Sequence, residues 1–292
     1  MNPPTATGST WAFDAIGTTW AIDTADPLSS IARDEIAALV ECFDREWSRF
    51  RDDSTVSALA QGRAASVPAP SDADAMLSLY DELDAATAGA VNPLVGEALA
   101  RLGYDARLTL VPSAETEPAP AWRDAVSWRD GRLSVSTASI IDVGALGKGR
   151  LVDLVLDVVR AHVDGDVVVD ASGDLAACGA PVRVALEHPY DPTLAIGVVT
   201  VTDGALCASA INRRAWGDGL HHVLDARTGA PVRAFAATWA LAETAMRADA
   251  LATALFFDGG PELAASWNAH WVRMRTDGRV EWSPGFTGEV FS

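Results

Sequence analysis

The sequence predicts an α+β fold on three observations: amphipathic helical stretches crowd its first third, short alternating strands dominate the rest, and neither regular βα alternation nor an internal repeat runs through it. With 292 residues, 49% of them apolar and 21% charged, the chain can bury a large core. Nothing in it reads as a linker, so residues 1–292 are expected to form a single domain, elaborate or built of two intimately packed lobes.

The elements follow in order. Residues 11–22, WAFDAIGTTWAI, alternate and are rich in aromatic and β-branched side chains, which predicts a strand or tight hairpin. Over residues 28–47, Ile31, Ile36, Leu39, Val40 and Phe43 recur at helical spacing, with Ser29 or Ser30 as the cap. A second helix is expected from a cap near Ser71 to a break at Gly89 and Pro93. The proline- and alanine-rich residues 105–122 read as a surface excursion. Residues 125–137 read as a hairpin turning at Arg129, Asp130 and Gly131. The helix that begins around Lys148 carries Leu151, Leu154, Val155 and Val158 on an apolar face. Strands are expected at 166–172, 181–187, 195–202, 222–226 and 235–242, then a helix over 243–259 and a hairpin over 270–283.

A formal charge of −18 argues against nucleic acid or an anionic membrane as partner, because the average field repels phosphate polymers. An anionic ligand must then be held locally, by a metal ion, helix N-termini or placed arginines. Cys42, Cys178 and Cys207 have no zinc or disulfide spacing and read as small buried apolar residues of a reduced compartment. No stretch reaches the roughly 18 apolar residues of a spanning helix, and the N-terminus has no basic start, apolar run or lipidation cysteine. A cytoplasmic protein is expected, or an exported one whose signal is removed.

Four stretches could carry chemistry. Lys148 is the only lysine among 22 basic residues, and it sits between two glycines in DVGALGKGRLVDLV. A compact ammonium on a flexible stem suits a point contact to phosphate. The stretch is not a P-loop: two residues rather than four separate Gly144 from Gly147-Lys148, and Gly149 stands where Ser or Thr would bind magnesium. A glycine-rich turn into a helix could still offer free backbone N–H groups to an anion, or be only a tight turn. In VVVDASGDLAACG a strand runs into Ser172, Gly173 and Asp174, where Gly173 permits close backbone approach to a ligand. HHVLDARTGAPV crowds two histidines and an aspartate beside an Arg-Thr-Gly-x-Pro turn, and His221 reads as structural. In RADALATAL, Asp249 and Thr253 stand one helical turn apart, a sparse oxygen site for magnesium or simply a cap and a packing residue.

The order of these pieces resembles the ApbE family of FAD:protein FMN transferases, from AIGTTW to ADALATAL. DVGALGKG is similar to the family's Asp-x-Gly-x-x-Ala-Lys-Gly, ASGDLAACG to its Gly-Gly-Asp turn, and HVLDARTGAP to its His-x-x-Asp-Pro-Arg-Thr-Gly-x-Pro. ADALATAL is similar to its Ala-Asp-Ala-x-x-Thr helix, and SRFRDDSTVSAL and TAGAVNPLVGEAL resemble two upstream segments. The resemblance implies a two-lobed fold of mixed or antiparallel sheets with flanking helices and a flavin site between the lobes. It implies FAD as substrate, Mg2+ on its pyrophosphate, and an acceptor flavoprotein whose Thr or Ser hydroxyl takes the FMN. By matching positions the metal would lie at the Ala145 carbonyl, Asp249 and Thr253. Lys148, Gly173, Asp174, His222, Val223, Asp225 and Thr228 would surround the nucleotide, and Ile16, Val91 and Asn92 would border the flavin. His222 is the expected base, with Asp249 able to share the role. The chain departs from the pattern at Ala60, Gly147, Ala208-Ser209-Ala210 and Ala226, losing a hydroxyl and an amide near the expected nucleotide. Those losses keep FAD hydrolysis to FMN and AMP, or flavin binding without catalysis, as alternatives to transfer.

Overall fold

The computed structural model describes residues 8–291, so the N-terminal reading above falls partly on residues outside that range. The chain runs through β1 (Ser9–Ala15), β2 (Thr18–Thr24), α1 (Ser30–Trp47), α2 (Thr55–Ala60), β3 (Ser66–Pro68), α3 (Ala73–Thr87), α4 (Gly96–Arg101) and α5 (Trp122–Ala125). There follow β4 (Val126–Arg129), β5 (Arg132–Val135), α6 (Gly147–His162), β6 (Val167–Asp170), β7 (Asp174–Cys178), β8 (Val182–His188), β9 (Asp191–Val201) and β10 (Gly204–Ala210). The last part holds β11 (Ala215–Trp216), β12 (Leu220–His221), β13 (Leu224–Asp225), β14 (Ala230–Pro231), β15 (Phe235–Ala242), α7 (Ala245–Ala254), α8 (Gly260–Ser266), β16 (His270–Arg275), β17 (Val280–Trp282) and β18 (Glu289–Val290). No described helix is long and apolar enough to cross a membrane.

An eight-stranded sheet in the order β1-β2-β6-β7-β10-β15-β16-β17 organises the molecule, and every pairing in it is antiparallel. Side chains alternate across its faces, as a pleated strand requires. Val167, Val169, Ala205, Cys207 and Ala240 join the large core with Ile36, Phe43, Leu151, Val155 and Leu251 of the helices. Leu175, Ala177, Leu206, Trp239 and Met274 face the other way and pack on Leu186, Ile196 and Val199 of the small sheet β18-β9-β8. The fold is thus α+β with antiparallel sheets.

Several expectations change. The first hairpin, the hairpin at β4 and β5 and the one at β16 and β17 form as expected. Ser29 caps α1, accepting from Ala32 N at 3.2 Å, but Ile31 points to solvent and Ala32 takes the buried position a turn before Ile36. On α6 the buried stripe is Leu151, Val152, Val155 and Val159 rather than Leu154 and Val158. The N-cap of α3 is Asp72, whose carboxylate binds Arg150 at 3.0 Å instead of capping, and Ala88 and Gly89, both left-handed, end that helix. Residues 222–226 form no continuous strand: only Leu224 and Asp225 pair, with β14. Of the cysteines only Cys207 is buried, while Cys42 is exposed.

The crossing of α6 and α7 positions the site. A Cβ on Gly149 would lie 2.2 Å from the Ala245 carbonyl oxygen and 2.7 Å from Asp249 Cβ, so the two backbones meet only because residue 149 has no side chain. Gly149→Ala is expected to destabilise the protein by about 3 kcal/mol through overpacking, readable as a lowered urea midpoint at unchanged m-value.

Candidate functional site

A cleft of about 2030 Å³ is lined by Ile16, Val91, Asn92, Ala145, Lys148, Gly173, His222, Val223, Asp249 and Thr253 among others. Ten sequence-predicted residues from six stretches of chain therefore share one surface. Ile16 and Gly17 form the β1–β2 turn with φ of 43° and 76°, and a β-branched residue held left-handed there is strained. Another sharp turn, Ser172 and Gly173 with φ of 55° and 114°, docks on the start of β2 through the Ser172 hydroxyl, which donates to Thr19 O at 2.7 Å.

The α6–α7 crossing supplies the charged centre. Gly149 N donates to Asp249 Oδ2 at 2.9 Å, so one carboxylate oxygen caps α6. One turn further along α7, Thr253 Oγ1 donates to the Ala145 carbonyl at 3.3 Å. Ala145, Thr253 and Asp249 all line the cleft and offer an all-oxygen set with a single charge. That composition matches a hard cation such as magnesium, which completes its octahedron with water and phosphate oxygens. Among the described residues no group of three or more His, Cys, Asp or Glu gathers to hold a metal.

Lys148 Nζ lies 3.1 Å from Asp174 Oδ2 and donates to Ala171 O at 3.1 Å. The Asp174 side chain is 1% exposed and its oxygens find no well-aligned hydrogen-bond donor, so among the described residues Lys148 is its sole counter-ion. Burial opposes the lysine charge, but Asp174 and then Asp249 outweigh it and raise its pKa. Burial, followed by the charge of Asp174, lifts the Asp249 pKa well above the usual carboxylate range, against the pull of Lys148.

At the turn into α6, which the sequence leaves open as an anion site or only a tight turn, few N–H groups stay free, because Gly147 N already donates to Val143 O at 2.8 Å and Gly149 N to Asp249. Asp142 is a brace: Arg49 Nε reaches its Oδ2 at 2.5 Å, and its Oδ1 accepts from Gly144 N at 2.7 Å.

The histidine stretch divides. His221 is buried and bonded to the Val232 carbonyl at 2.9 Å, a structural role as expected. His222 lines the cleft with Nδ1 unpartnered; burial first, then the Arg214 cation, push its pKa down to about 3. Asp174, Asp225 and Thr228 are absent from the cleft lining. Asp225 holds Arg227 at 2.6 Å and Thr228 donates to Asp225 O at 3.2 Å. That turn docks through Ala226 N on Ala90 O at 3.0 Å and so braces Val91 and Asn92, whose amide oxygen accepts from Leu94 N at 2.8 Å.

Sequence reasoning missed an aromatic shelf in the cleft. Phe50 and Tyr104 meet edge-to-face at 5.4 Å, Tyr104 stacks on Trp216 at 5.4 Å, and the Arg49 guanidinium lies 4.2 Å from the Phe50 ring centre. These residues come from distant segments, and only the aromatic-arginine pairing in SRFR hinted at them.

A family model described as the ApbE family matches residues 16–274. A protein of Rhodobacter capsulatus named FAD:protein FMN transferase is 28% identical, covering 93% of this chain but 56% of its own length, so the chain spans little more than half of that relative. A Treponema pallidum protein of the same name is 29% identical over 78% of this chain and 71% of its own. Among solved structures, an ApbE protein of Thermotoga maritima superposes with a TM-score of 0.80 at 23% identity, covering 94% of this chain and 97% of its own. The apo form of a Pseudomonas stutzeri flavinyl transferase gives 0.79 at 22% identity, covering 94% and 93%.

Proposed function

The chain belongs to the ApbE family, and from that premise we propose that it is an FAD:protein FMN transferase, moving FMN from FAD to a Thr or Ser hydroxyl of an acceptor flavoprotein and releasing AMP. The observation that carries the proposal is the convergence of Lys148, His222, Asp249, Thr253 and the Ala145 carbonyl on one cleft large enough for a dinucleotide.

Ala145 O, Asp249 and Thr253 would hold magnesium. When bound, the metal would neutralise charge on the pyrophosphate and fix its orientation. The flavin ring would lie toward Ile16, Val91 and Asn92, and the aromatic shelf offers a stacking surface for a second flat ring. Lys148 reaches the cleft already anchored by Asp174 and Ala171 O, so its charge meets an anion without further ordering. His222 is uncharged at neutral pH, so its imidazole would accept the hydroxyl proton as oxygen attacks the FMN-side phosphorus. A dianion arriving beside it raises its basicity toward the working pH. The bond from that phosphorus to the bridging oxygen breaks, and AMP carries the oxygen away.

Incubated with FAD, magnesium and an acceptor flavoprotein, the protein should release AMP in step with covalent flavin fluorescence on the denatured acceptor. Free FMN with an unlabelled acceptor would instead establish FAD hydrolysis at the same site, and tight FAD binding with no AMP would establish a binding protein.

A further inference from the structure

Six cationic side chains line the cleft, and four are committed elsewhere: Arg49 to Asp142, Arg51 to Glu41, Asp44 and Asp53, Lys148 to Asp174, and Arg213 to Glu187. Arg183 and Arg214 have no acidic partner among the described residues.

Their positions differ. Arg183 sits on β8, within the small sheet. Arg214 immediately precedes the β11–β12 ribbon, whose antiparallel register sets Ala215 opposite His221 and Trp216 opposite Leu220. Arg214 and His222 directly flank the Ala215–His221 pair that closes this end of the ribbon. Both line the cleft. The Arg214 charge acts on both His222 and Asp249, lowering the pKa of each. An exposed guanidinium without a carboxylate partner among the described residues, lining the same cleft as the base and the metal carboxylate, is placed for a phosphate oxygen.

We propose that Arg214 is a catalytic residue of the transfer reaction, its guanidinium holding non-bridging oxygens of the FMN-side phosphate while the hydroxyl oxygen attacks and AMP departs. The inference rests on the FMN transfer proposed above and adds a substrate contact from the turn that leads into the ribbon. The argument is electrostatic: charge moves over those oxygens in the transition state, and a donor fixed in advance stabilises it more than it stabilises bound FAD.

The test compares Arg214→Ala, Arg214→Lys and the control Arg183→Ala. AMP release is measured with saturating FAD, magnesium and an acceptor flavoprotein, and FAD and riboflavin affinities by flavin fluorescence in EDTA. Arg214→Ala is expected to lower kcat about 100-fold and to weaken FAD about tenfold while riboflavin, which has no phosphate, binds as before. Lysine should recover about tenfold in kcat, since it restores charge without the planar fork. Arg183→Ala should lower kcat far less than Arg214→Ala does. The proposal is overturned if Arg214→Ala keeps its kcat, if it loses both flavins equally, or if Arg183→Ala falls as far. Wild type releasing AMP without labelling an acceptor would refute transfer but leave the Arg214 comparison intact. Wild type binding FAD no better than riboflavin would refute the phosphate contact itself.

Discussion

Asp249→Asn is expected to lower AMP release and FMN transfer by about a thousandfold while leaving the protein at least as stable as wild type. The amide oxygen of asparagine can still accept from Gly149 N, so the cap on α6 survives. What disappears is a carboxylate buried beside Asp174, which carries a desolvation and repulsion cost when charged. Loss of activity with a retained or raised melting temperature distinguishes a ligand for the metal from a structural residue. The raised pKa also sets a sign for magnesium binding. A carboxyl held protonated above its ordinary range must lose its proton to ligate, so apparent magnesium affinity should rise with pH through and above that range. Magnesium titrations at several pH values in wild type and Asp249→Asn check both points: the variant should bind weakly at every pH.

Lys148→Ala is expected to destabilise the protein by roughly 3–5 kcal/mol, because it leaves the 1%-exposed Asp174 carboxylate without its counter-ion. Asp174→Ala should cost less, since the lysine side chain is 23% exposed and its ammonium can turn to water. In the double variant most of the Lys148→Ala cost should vanish, a coupling that a urea double-mutant cycle measures directly. Additive costs would mean that the pair does not act as a unit. A lysine present by chance would cost under about 1 kcal/mol, so the experiment decides whether the single lysine of the chain is functional furniture or composition.

Much of this was legible because local rules and the fold agreed. The β1–β2 hairpin, α1, α6 and the paired Asp249 and Thr253 announce themselves by periodicity and spacing. β10 did not: its two faces are both buried, one on the helices through Ala205 and Cys207 and the other on the small sheet through Leu206, so no polar-apolar alternation marks it. β7 was hidden for the same reason, as a continuation of β6 beyond a sharp turn. At the site, a motif position does not reveal which way a side chain faces. Asp174 lies behind Lys148 rather than in the cleft, and Asp225 holds Arg227 in a turn that supports Asn92 from outside. Phe50, Tyr104 and Trp216 form their shelf only through tertiary contact, and Arg214 is distinguished from Arg213 only once Glu187 is seen to hold the latter.

A crystal structure with FAD and magnesium tests the central claim most directly. The account predicts one metal on the Ala145 carbonyl, Asp249 and Thr253, bridging to the pyrophosphate, with His222 facing the FMN-side phosphorus and Lys148 still anchored on Asp174. A pyrophosphate bound away from the α6–α7 crossing, or a metal held by other residues, would contradict it.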